Sequence, residues 1–191
     1  MAPEHTPAPQ PNPLIEAASF FDRSIRLFLS EAEGEAEALH AETWILAVAR
    51  MAGTQIQFAL AGAPNGAGDR ARPQAGAGAA QEGPRLVGLL LLSLEQLGEP
   101  LQEAAIDCPA EGSACSRLSL AQARARLQPL VEACGRCHGL GSGELADALV
   151  IATALAIHHC RGLVPVARGA GLAVIGLVEG AKTVPSQLAA A

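Results

Sequence analysis

Leu120, Ala123, Leu127, Leu130, Cys134 and Cys137 follow one another at intervals of three and four residues. Apolar side chains spaced in this way lie on one face of an α-helix. The same spacing recurs along most of the chain, and no sustained alternation of apolar and polar residues accompanies it. A sheet with one buried face would need that alternation, together with more Thr, Tyr and Phe. Tyr is absent and aromatic residues make up 3% of the 191 residues, although half of all residues are hydrophobic. The apolar content is therefore mainly Ala, Leu, Val and Ile, and Ala and Leu favour helix. The expectation is an all-α, single-domain bundle of about six helices, large enough for a substantial core.

Local signals place the helices. Asn12 followed by Pro13 supplies a capping side chain and a preset φ, so the first helix spans about 13–30, with Leu14, Phe21, Ile25 and Phe28 on one face and Asp22 and Arg26 placed to pair across one turn. A second helix is expected over 35–60, its start marked by Glu35 and Glu37. Trp44, Met51 and Phe58 recur every seven residues there, beside Ile45, Val48, Ala52, Ile56 and Ala59. Residues 62–83 are rich in Gly, Ala and Pro and read as a long flexible loop.

Pro84 then opens a third helix over 85–97, apolar almost all round and so expected to be central. Residues 99–118 read as irregular. Ser119 and Gln122 form a capping box for a fourth helix, which Pro129 should kink or split and Gly139 and Gly141 should end. A fifth helix is expected over 142–159 and a sixth over 165–182, closed by Val184-Pro185. Residues 1–12 are Pro-rich and polar and read as a disordered leader, the helical domain as 13–185, and residues 186–191 as a tail.

Charge and cysteine usage narrow the function. The net charge is −6, with no basic run, which argues against nucleic acid as a partner. Lys182 is the single lysine, an arginine bias of the kind a bacterial genome composition produces. No segment reads as a membrane span or as a secretory signal, so the five cysteines are expected to be reduced thiols in a cytoplasm.

Two patterns carry the functional expectations. On the sixth helix, Gly169, Ala173, Gly176 and Gly180 form a stripe of small residues. Several glycines on one helical face imply close approach of another backbone, either within the chain or across a homodimer. The string Cys134-Gly135-Arg136-Cys137-His138 matches the attachment signature of c-type haem, and its Cys134, Cys137 and His138 could also ligate zinc. The competing explanation is that both cysteines line the core, with His138 at the helix end. His158, His159 and Cys160 lie too far along the next helix to complete a site readily.

Cys108 and Cys115 read as loop thiols, His40 and Glu42 as solvated surface residues rather than an acid/base pair because two helical positions apart they point in different directions, Glu179 with Lys182 as a local ion pair, and Asp147 as solvent-facing. The catalytic motifs for acyl transfer, phosphate binding and zinc proteolysis are missing from the sequence. The favoured function is a non-enzymatic helical interaction or assembly protein without a cofactor. The alternatives are a metal- or haem-binding redox protein using 134–138, and a small-molecule binder or enzyme with a pocket between helices.

Overall fold

The computed structural model describes residues 12–33, 40–61 and 75–182. Among them are six α-helices and two short 3-10 turns, and no strand. The helices are α1 (Pro13–Glu33), α2 (Ala41–Ala61), α3 (Ala75–Gln96), α4 (Leu120–His138), α5 (Ser142–Cys160) and α6 (Val166–Ala181). The expected leader, the Glu35/Glu37 helix start, most of the expected loop and the Val184-Pro185 stop fall largely or wholly outside the described residues.

The bundle is built around α2 and α5. α2 packs most extensively on α6 and α5, and α5 also takes α1 and α3. Every residue of α2 from Thr43 to Ile56 is buried, which explains why its apolar stripes cover so wide an arc. Phe21 and Ile25 close the core from α1, and Leu86, Leu90 and Leu94 close it from α3. α3 is thus peripheral rather than central: it buries one face, while Leu92 points outward. α5 is, among the described residues, the one helix long and apolar enough to cross a membrane by length and composition, and most of it is buried in the bundle.

Three further details differ from expectation. The third helix starts at Ala75, so 75–83 is helix and Pro84 lies within it. Alanine at 75, 77, 79 and 80 offsets the glycines between them. α4 runs unbroken through Pro129. Pro129 and Ala125, whose carbonyl loses its helical donor, are both exposed, so water can serve that oxygen. The irregular stretch before α4 contains 3-10 turns at Glu103–Ala105 and Gly112–Cys115. The ends of α4 follow local chemistry: Ser119 and Gln122 make the reciprocal capping box, and Gly139 closes the helix at φ 67°, where a side chain would be strained.

Candidate functional site

The small-residue stripe is occupied within the chain. Ala173, Gly176 and Gly180 are buried, and the two glycines lie directly on the α2 backbone. A Cβ at Gly180 would fall on the Arg50 carbonyl oxygen and 2.8 Å from the Thr54 nitrogen. One at Gly176 would stand 2.8 Å from the Ala49 Cβ. Gly53 answers from α2, where a Cβ would stand 2.8 Å from the Ala181 nitrogen. Gly169 lies against Ile157 of α5. The intrachain crossing therefore accounts for the stripe.

This crossing brings a charged residue inside the bundle. Arg50 is 3% exposed, and its Nε donates to Glu179 Oε2 at 2.8 Å. Its Nη1 donates to the Leu118 carbonyl at 2.6 Å and to Ser116 Oγ at 3.3 Å. Glu179 is thus the partner of Arg50, on another helix, rather than of Lys182. The pair ties α2, α6 and the segment before α4 together.

The cysteines separate. Cys134 is buried, and burial pushes its thiol up to about 11, so it is a neutral thiol near pH 7. Cys137 is exposed, contrary to the expectation that both line the core. The buried face of α4 runs Ala123, Leu127, Val131, Cys134, a drift that leaves residue 137 outside. His138 lies 3.9 Å from Glu16 of α1. Among the described residues no cluster of three or more His, Cys, Asp or Glu side chains is placed to hold a metal ion. Cys108 is exposed, Cys115 is half-buried, and all five cysteines are free.

The remaining candidates each find separate partners. His40 Nδ1 lies 2.8 Å from Thr43 Oγ1, whereas Glu42 accepts from Arg168 Nε at 3.0 Å. Asp147 is not simply solvated, because Arg85 Nη2 stands 2.8 Å from its Oδ1. His158 pairs with Glu99 at 3.2 Å.

Asp22, a charged residue between Phe21 and Ile25, is buried in a cluster whose other members the sequence does not name. This residue is 6% exposed, and its Oδ1 lies 3.3 Å from His159 Nδ1 without hydrogen-bond alignment. The His159 ring stacks on Trp44 at 6.0 Å between centroids. Burial pushes the Asp22 carboxyl above its ordinary value, outweighing the opposing pull of His159, Arg26 and Arg23. An acid whose folded pKa is raised releases its proton first in the unfolded chain, so stability falls as pH rises from about 4 through the folded value. Asp22→Asn should therefore be more stable than the parent at pH 7, with the gain vanishing below about pH 4. Urea unfolding at the two pH values checks this, and a loss of stability at pH 7 would contradict it.

The outer surface shows two apolar openings. One, of about 310 Å³, lies between α1, α3 and α5 and is lined by Ile15, Ala18, Leu92, Leu97, Ile151 and Leu155 with Ser19, Ser93 and Gln96. No charged residue lines it. Ile15 and Leu92 stand at its edge, 50% and 54% exposed. The other lies between α2, α3 and α6. Comparison with protein-family models, curated proteins and solved structures finds no match.

Proposed function

We propose that the chain is a non-enzymatic helical interaction protein that associates with a second copy of itself through the face shared by α1, α3 and α5. The observation that carries this reading is the pair of half-exposed side chains, Ile15 and Leu92, beside an uncharged apolar cleft. Large apolar side chains gathered at a concave, neutral site are a mark of contact surfaces. A two-fold contact places each patch against itself, and a patch without charge meets its own copy without repulsion. Leu92 of one copy is then a knob for the cleft of the other. The protein works with its thiols reduced, as in a cytoplasm.

Light scattering tests the proposal. The parent should be a dimer at tens of micromolar, and Leu92→Glu should be a folded monomer. Losing Leu92 burial twice per dimer weakens association by roughly 100-fold or more. A monomeric parent would overturn the reading. Metal analysis and an absorption spectrum of the native protein test the redox alternative: stoichiometric zinc or iron, or a Soret band, would support a role for Cys134, Cys137 and His138 in its place.

A further inference from the structure

We infer a binding site for a small amphipathic anion, an aliphatic chain ending in a carboxylate, where two clefts meet at Lys182. The first cleft, of about 320 Å³, is walled by Ile56 and Leu60 of α2, Leu86 and Val87 of α3, and Val174 and Val178 of α6. Its base exists because Gly53 and Leu177 bring α2 and α6 into backbone contact, with no side chain at residue 53 to fill the space. The second cleft, of about 510 Å³, has Arg50, Ser116, Ser119 and Glu179 around it beside Leu118 and Leu120. Lys182 lines both.

The charges select the head group. Arg50 and Glu179 neutralise each other at 2.8 Å. Lys182 is exposed and has no ion-pair partner among the described residues, so it leaves the junction positive. The start of α4 adds to this: Ser119 and Leu120 line the second cleft, and the capping box engages the Gln122 nitrogen rather than those of Leu120 and Ala121. Such a terminus favours an anion. No acidic residue lines the apolar cleft, and its volume suits a small ligand. A hydrocarbon tail therefore occupies the first cleft and its carboxylate meets Lys182.

Octanoate, 1-octanol and acetate are the probes, titrated by calorimetry and ligand-observed NMR against the full chain. Octanoate should bind with a sub-millimolar dissociation constant, octanol at least about fivefold more weakly, and acetate not measurably. Lys182→Gln should bring octanoate down to the level of octanol. Val178→Asp should abolish octanoate binding, while Leu163→Asp, at an exposed position outside both clefts, should leave it intact. Equal binding of octanoate and octanol, no effect of Lys182→Gln, or no binding of octanoate would each overturn the inference. The Leu92→Glu monomer should bind octanoate as the parent does, so failure of the dimer and failure of this site are read separately.

Discussion

Gly180→Ala will destabilise the fold by about 3 kcal/mol, at the upper end of what overpacking a core usually costs. On helix propensity alone the change should help, because alanine is favoured over glycine within a helix by up to about 1 kcal/mol. The clash decides the sign. The new methyl group would fall on the Arg50 carbonyl and 2.8 Å from the Thr54 nitrogen, both backbone atoms in the buried Thr43–Ile56 stretch of α2, which cannot move aside. For a chain of this length the loss corresponds to a fall of roughly 6–12 °C in melting temperature. Gly88→Ala is the matched control, since α3 leaves open space at that position. It should gain about 0.5–1 kcal/mol. Thermal and urea unfolding of both variants check the contrast. If Gly180→Ala gained stability alongside Gly88→Ala, the α2/α6 backbone contact would be wrong.

What was readable in advance divides by the range of the interaction. The Ser119 box and the Gly139 stop depend on residues within a few positions of each other, and both stand as expected. The stripe at 169, 173, 176 and 180 was readable as a demand for close approach, but not as a demand for α2. Nothing in α6 names the complementary Gly53, which lies more than a hundred positions earlier. The peripheral position of α3 is not legible in the sequence, because apolar residues all round a helix do not say which of them is covered, and Leu92 remains outside. Cys137 was misplaced because intervals of three and four drift around the helix, and the stripe turned at Val131.

The Asp22 and Arg50 sites are a different case. Arg50 stands after an unbroken apolar run from Trp44 to Ala49, and Asp22 stands between Phe21 and Ile25. A charged residue inside an apolar stripe implies a partner in the core. That signal was present, while the partners, Glu179 and His159, are fixed only by tertiary packing.

The Arg50–Glu179 pair should show the asymmetry of a charge held inside a protein. Glu179→Ala removes the one carboxylate, among the described residues, that is bonded to a guanidinium only 3% exposed. The uncompensated charge should cost about 3 kcal/mol, at the lower end for a broken buried pair because Glu179 itself reaches water. Arg50→Met leaves a carboxylate that solvent can stabilise, so the charge left behind costs less. The Leu118 carbonyl loses the Arg50 donor at 2.6 Å but keeps Ser116 Oγ, which donates to it at 2.9 Å, so it is not left unsatisfied. Arg50→Met combined with Glu179→Leu removes both charges and replaces them with apolar volume. That double variant should be more stable than Glu179→Ala and should fall well short of the summed single losses. Urea unfolding of the double variant and of Arg50→Met and Glu179→Leu alone gives the coupling, and salt should change it little because one partner is shielded from solvent. Strict additivity would mean that the two side chains do not interact. Because Lys182 stays in place throughout, octanoate binding by the double variant also shows whether the junction keeps its positive character once the neutralised pair has gone.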